Sequence, residues 1–220
     1  MESDQADSTV HTECVSDCLG HQIFEGDWKK VTVGGDGETV AVGTYEVGVT
    51  GVGGTIAASG SHWHGIVAIA STNGTAFSGD GGVAVSSSKG SHSLVGQCGY
   101  AYSKGGKATA GACSVAGTAG GHSIAAKNGI SVGWFSNTSA ARVEAGAGGV
   151  VIGNTGCFLK TGVGGVLIAM ALPRKEPAIT PSTKVCRVGE DGIVADTWYQ
   201  IIENGNTEFE FIKQRHDAPS

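Results

Sequence analysis

Histidine and cysteine carry most of the chemistry open to this chain, and they fall into three groups. His11, Cys14, Cys18 and His21 have the residue types of a zinc site. On a single helix they would share one face but stretch over roughly 15 Å, so one ion could not take all four. Zinc binding therefore needs the chain to turn near residues 17–20; otherwise the stretch is a capping segment with buried cysteines. His62, His92 and His122 each follow a Gly-Ser or Gly-Gly pair and recur every 30 residues. With Trp63, His64 and Trp134 they make up the candidate binding residues. Cys98 and Cys113 form the third group, 15 residues apart. Two short motifs fail on inspection. Gly121-His122-Ser123-Ile124-Ala125 lacks the final glycine of a nucleophile elbow, and Lys104-Gly105-Gly106-Lys107-Ala108 lacks the upstream glycine and downstream hydroxyl of a phosphate loop. No catalytic residue is assigned.

The spacing of 15 belongs to the framework that must hold these groups. Gly90-Ser91-His92-Ser93-Leu94-Val95, Gly105-Gly106-Lys107-Ala108-Thr109-Ala110, Gly120-Gly121-His122-Ser123-Ile124-Ala125 and Phe135-Ser136-Asn137-Thr138-Ser139-Ala140 read as one motif repeated. A period of about 15 is too short for a pair of helices and suits one coil of a β-solenoid. Val95, Ala110, Ala125 and Ala140 then form an inward column of small apolar residues, beside a mixed column of Leu94, Thr109, Ile124 and Ser139. Half-units of seven or eight residues imply two main strands per coil, with an interior of Ala and Val and a flattened cross-section. Dividing residues 38–171 by the period gives about nine coils. His92 and His122 would sit two coils apart, roughly 10 Å, too far for one metal with ligands at about 2 Å, and repeated bend residues account for them. Cys98 and Cys113 would be neighbours in adjacent coils, a disulfide in an oxidising setting or a stacked pair of buried thiols in a cytosol.

Composition agrees with this architecture. Of 38 Gly, 33 fall in residues 31–170, a stretch without Pro, which excludes collagen, while its regular Val, Ile and Ala exclude a flexible linker. Residues 1–30 hold seven acids and two bases, 31–170 five and six, and 171–220 eight and six. The net charge of −6 without a basic cluster makes nucleic acid an unexpected partner. The start, Met1-Glu2-Ser3-Asp4, is acidic and is followed by no apolar run, so neither a signal peptide nor a membrane span is expected. The six Cys then read as thiols, and the glycosylation matches at Asn73 and Asn137 as coincidence.

The ends differ from the middle. Ile23, Phe24 and Trp28 could plug the open end of a solenoid. From Asn154 the residues grow bulkier, Pro173, Pro177 and Pro181 stop the pattern, and short runs about Gly189-Glu190-Asp191-Gly192 read as an antiparallel cap. The expected divisions are an acidic N-terminal capping segment (1–37), a Gly-rich solenoid (38–172) and a C-terminal β cap (173–220). The expected class is an all-β, single-stranded β-solenoid, a β-helix or β-roll of ~15-residue coils.

The Gly-bounded repeats, the run from Val166 to Leu172, and the tail Lys184-Val185, Val188-Gly189-Glu190-Asp191-Gly192, Ala195-Asp196-Thr197-Trp198-Tyr199 and Asn204-Gly205 together resemble a family. It is the uncharacterised β-solenoid proteins of phages and prophages, whose repeats resemble the heads of trimeric autotransporter adhesins. The resemblance spans roughly residues 80–210, and the Asp-Thr-Trp-Tyr segment is its most specific part. It implies no activity. It does imply a homo-oligomer, with a trimer favoured, and a place in the host cytoplasm or the virion. The expected function is a non-enzymatic structural or protein-binding module, with a soluble inhibitor of a host defence protein as the alternative. Left-handed β-helix acyltransferases also read as Gly-rich coils, but they need sustained six-residue repeats, of which only Ile152-Gly153 onward offers a fragment. No cofactor beyond the zinc considered above is expected.

Overall fold

The computed structural model describes residues 14–16, 21–23, 30–33, 39–42, 47–50, 55–58, 67–70, 73–87, 90–136, 139–170, 183–204 and 208–214. Among them there are only strands and turns, with no helix. The first strands are β1 (Cys14–Ser16), β2 (His21–Ile23), β3 (Lys30–Val33), β4 (Thr39–Val42), β5 (Val47–Thr50), β6 (Thr55–Ala58) and β7 (Val67–Ala70). The run continues with β8 (Thr75–Ser78), β9 (Val83–Ser86), β10 (His92–Val95), β11 (Tyr100–Lys104), β12 (Lys107–Ala110) and β13 (Val115–Ala119). It reaches β14 (His122–Ala125), β15 (Ile130–Trp134), β16 (Arg142–Ala145), β17 (Val150–Asn154), β18 (Phe158–Thr161) and β19 (Val166–Met170). β20 (Thr183–Arg187), β21 (Tyr199–Asn204) and β22 (Glu208–Lys213) close the chain.

Odd-numbered strands from β1 to β19 stack in parallel as a first sheet, and even-numbered strands from β2 to β18 as a second. The chain alternates between the two, so each coil contributes one strand to each sheet, which is a β-solenoid with two strands per coil. Parallel pairing already runs through β1, β3 and β5. At the other end the direction reverses: β20 lies antiparallel on β19, and β21 antiparallel on β18 with β22 outside it. This cap covers the open edges that a parallel stack would otherwise present to further strands.

Strand residues alternate inward and outward from β7 to β19, and the inward residues are small. Ala68, Ala70, Ala76, Ala84, Ala101 and Ala108 are fully shut off from solvent, and the expected column members Val95, Ala110 and Ala125 are buried. The interior is also more polar than the Ala and Val expected: Ser86, Ser93, Ser103, Thr118, Ser123 and Ser131 point inward and are fully buried. Each finds a partner. Ser86 and Ser93 hydroxyls are 2.8 Å apart and Ser93 donates to the Tyr102 carbonyl at 2.8 Å; Ser131 donates to Ser123 at 2.8 Å, which donates to the Val132 carbonyl. A satisfied hydroxyl avoids the desolvation penalty that makes an orphaned one destabilising by about 1–3 kcal/mol. From β16 onward larger inward side chains join the small ones: Val143, Val151, Leu159 and Leu167 pack with Tyr199, Ile201 and Phe209 of the cap in a second, bulkier cluster.

The uniform step of 15 holds only in the middle. His92 pairs with Lys107 and Lys107 with His122, but His122 pairs with Arg142, a step of 20, and Arg142 with Phe158, a step of 16. Residues 38–171 therefore hold fewer coils than the nine a constant period gives. The fourth motif line is also displaced. Ala125 pairs with Ala145 and Ile124 with Glu144, so Ala140 and Ser139 do not belong to the columns, and Ser136 and Ser139 instead pair with each other in an antiparallel bridge. The extra residues sit in the corner between the sheets, where a coil can bulge without disturbing either ladder.

The opposite corner, from the second sheet back to the first, is constant from β8 to β19. Six successive corners, residues 79–82, 96–99, 111–114, 126–129, 146–149 and 162–165, have four residues each. The third residue of each is left-handed: Gly81, Cys98, Cys113, Asn128, Gly148 and Gly164, with φ of 55° to 72°. A backbone ladder runs along it, from Gly81 N to Gln97 O, Cys98 N to Ala112 O, Cys113 N to Lys127 O and Asn128 N to Ala147 O. The turn is thus the constant unit of the coils from β8 to β19.

Candidate functional sites

Outward positions at the start of the second-sheet strands line up as His92, Lys107, His122, Arg142 and Phe158. Beside them the variable corner runs through Gly90, Gly105-Gly106 and Gly120-Gly121, whose lack of side chains hollows a groove of about 630 Å³. Ser139 and Ala140, from the long corner, form part of its wall. The structure therefore brings His92 and His122 into one column, two coils apart, with Lys107 between them. His62, Trp63 and His64 lie outside the described residues, and the 30-residue spacing does not extend to His62: the position two coils before His92 is Thr55. Trp134 ends β15 in the first sheet, half-buried and away from the groove.

One titratable cluster adjoins the column. Lys160 Nζ stands 2.8 Å from Glu144 Oε1, and His122 Nε2 lies 3.7 Å from Oε2, an ion-pair distance rather than a hydrogen bond. His122 and Lys160 together hold the Glu144 carboxyl down at about 2, against burial, which pushes it up. The indole of Trp198 covers the group: its centroid is 6.2 Å from that of His122 and 4.9 Å from Lys160 Nζ. The Asp-Thr-Trp-Tyr segment thus folds back onto the second sheet, anchored by Asp196 N to the Thr161 carbonyl and by Tyr199 Oη, which accepts from Val194 N at 2.8 Å. A carboxylate that titrates near 2 is a poor proton acceptor at neutral pH, and the group works as a clasp between cap and coils.

This clasp has a pH signature. Because the folded value lies below the ordinary 4.5, its stabilisation is full above about 4.5 and is lost as the pH falls toward 2. The side chains are partly exposed, which limits the effect to about 1 kcal/mol. Glu144→Gln is expected to lower the neutral-pH melting temperature by a few degrees and to flatten the decline between pH 4.5 and 2. Thermal melts across that range check it; an unchanged acid limb would mean that the ion pair does not hold the cap.

Two of the four proposed zinc ligands lie among the described residues. Cys14 opens β1 in the first sheet and His21 opens β2 in the second, while His11 and Cys18 lie outside the described residues, as do Phe24 and Trp28. Among the described residues no group of three or more His, Cys, Asp or Glu is placed to hold a metal. Cys98 and Cys113 occupy equivalent positions in adjacent coils, as their spacing indicated, but both thiols are exposed, because they sit on the outer corner rather than in a strand column.

The first sheet presents a different surface. The first two outward positions of β7, β9, β15, β17 and β19 are Val or Ile, followed by Trp134 in β15 and Met170 in β19. Tyr100 and Tyr102 fill the same two positions of β11, with Lys104 after them, and Val115 and Gly117 those of β13, with Ala119 after them. Gly117 leaves space beside the Tyr102 ring, whose edge would lie 3.2 Å from any Cβ added there. No charged side chain stands in the first two outward columns of β7 to β19; Lys104, the last outward residue of β11, is the charge that borders them. Individual side chains are only partly covered, Tyr100 being 40% and Ile130 39% exposed. Sequence reasoning found this sheet's strands and missed their shared face, although alternation of Val and Ile with Ala and Ser was the available signal.

Comparison with protein-family models, with curated proteins and with solved structures finds no match.

Proposed function

We propose that this chain is a non-enzymatic structural and protein-binding rod of phage or prophage type, which assembles with further copies of itself through the outer face of its first sheet. The two charge-free outward columns from β7 to β19 carry the reading. At about 4.8 Å between strands and 3.4 Å per residue, seven four-residue strands present roughly 450 Å² of flat area. That is the size at which an apolar patch marks an interaction site, and two such faces together approach the ~1,000 Å² of a specific interface. A repeat surface suits self-association because each coil offers two outward positions at the same pitch. A trimer is the favoured state, following the resemblance to adhesin heads.

Light scattering on the purified chain tests this. A trimer is expected at micromolar concentration, converted to monomer by Val132→Lys with Ile152→Lys, with an unchanged far-UV spectrum. A wild-type monomer would overturn the proposal. The His92, Lys107, His122 and Arg142 column favours a second reading, in which the rod inhibits a host protein by docking an acidic surface into the corner groove. Affinity purification from infected cells, set beside mass spectrometry of purified particles, separates the two: recovery in the particle supports the structural role, and recovery only with a host protein supports the inhibitor.

A further inference from the structure

We infer that Cys98 and Cys113 form a two-thiolate clamp for a soft, linearly coordinated cation of the Cu(I) or Hg(II) kind. The two residues hold the same third position in consecutive four-residue corners, share φ of 55°, and carry consecutive rungs of the corner ladder, Cys98 N to Ala112 O at 3.0 Å and Cys113 N to Lys127 O at 3.1 Å. Identical local geometry aims both side chains the same way, one coil apart. Both thiols are exposed and neither is in a disulfide.

Packing does not account for them. Left-handed backbone is unfavourable for a residue with a Cβ other than Asn or Asp, and the other corners use Gly81, Asn128, Gly148 and Gly164 at this position. A cysteine tolerated there for its hydrophobicity would be buried, and these are not. What cysteine offers at an exposed, conformationally costly position is its sulfur, and here that cost is accepted twice, at adjacent sites.

Distance selects the ligand. The coil pitch places equivalent atoms about 4.8 Å apart. Two metal–thiolate bonds of roughly 2.3 Å in line span about 4.6 Å, which the corner accommodates as it stands. A disulfide needs Cβ atoms about 3.8 Å apart, an approach that the ladder bonds at both residues resist. Soft thiolate donors select soft cations over zinc, which would need further ligands. On binding, each thiol releases its proton to water as its sulfur–metal bond forms, so two protons leave per ion and no oxidation state changes.

The test uses the full chain, reduced, titrated with Hg(II) and separately with Cu(I) in the presence of excess monothiol. Ions held by one sulfur are stripped under these conditions, while a chelated ion is retained about 100-fold better. Cys98→Gly and Cys113→Gly suit the left-handed corner, so they fold as the parent does, which melting confirms. One retained equivalent should vanish in either single variant, with no further loss in the double variant, because both sulfurs serve the same ion; protons released at the first equivalent, counted in a separate titration without monothiol, should number two. The proposal fails if the wild-type chain retains nothing that depends on these residues, or if the two variants lose bound metal independently and additively.

Discussion

Ala125→Arg is expected to leave the chain unfolded. Ala125 is the last inward residue of β14, 1% exposed, and its neighbours in the adjacent coils are Ala110 and Ala145. The space inside is sized for a methyl group on each side, so a guanidinium could neither fit nor reach water without separating the two sheets. Burying an unpaired charge and overpacking by several methylenes each exceed about 3 kcal/mol, and together they match the whole stability of an ordinary domain. Far-UV circular dichroism and amide exchange read the outcome. Thr109→Arg is the control: it lies in a second-sheet strand, one residue before an inward position, and faces outward. It should cost less than about 1 kcal/mol. The reverse outcome, Ala125→Arg folded and Thr109→Arg unfolded, would mean that the strands are turned by one residue, because a register slip exchanges the faces.

That inward column was readable from the sequence because the 15-residue step happens to be true between β10 and β14, where both corners are short. It led astray one coil later. A scan at a fixed step lands on Ser139-Ala140, whereas the strand resumes at Arg142-Val143-Glu144-Ala145 after a longer corner. The physical reason is that corners are free to vary in length while strand pairing is not. The signal that survives is the unit of strand, four-residue turn and strand, whose third turn residue must adopt positive φ; anchoring on Gly81, Asn128, Gly148 and Gly164 would have placed Ala145 correctly. The same anchoring would have put Cys98 and Cys113 on the corner and outside, rather than buried. The clasp at Trp198 was half visible: the Asp-Thr-Trp-Tyr segment stood out in the tail, but nothing local connects it to His122 and Glu144, which lie on β14 and β16. The serines of the interior read as solvent-facing from composition, and only the pairing of Ser86 with Ser93 and Ser123 with Ser131 across the two sheets explains how they are kept inside.

Gly121→Val should cost nearly as much as the charge in the core, and for a different reason. Gly121 closes the corner before β14, and a Cβ built on it collides with the carbonyl oxygen of Gly106 one coil below and comes within 2.6 Å of Thr118 Oγ1. That same carbonyl accepts the ladder bond from His122 N at 2.9 Å. The side chain would therefore displace backbone rather than a flexible neighbour, and the displaced atom is the acceptor that holds β14 to β12. Because each coil rests on the one before, a gap here propagates: Gly106 makes the equivalent close approach to the Ser91 carbonyl, and Arg142 N bonds the Gly121 carbonyl at 2.8 Å in the next coil. A loss of more than about 3 kcal/mol is expected, with amide exchange in β12, β14 and β16 accelerating together. Gly164→Asn provides the comparison. Gly164 is left-handed, with φ of 72°, but a Cβ there meets nothing within 4 Å, and Asn tolerates that backbone, as Asn128 does in the same turn position. It should melt within about 2 °C of the parent. If Gly121→Val were equally mild, the coils would have to stand further apart at this corner than the ladder from His122 to Gly106 requires, and the groove beside His92, Lys107 and His122 would lose its floor.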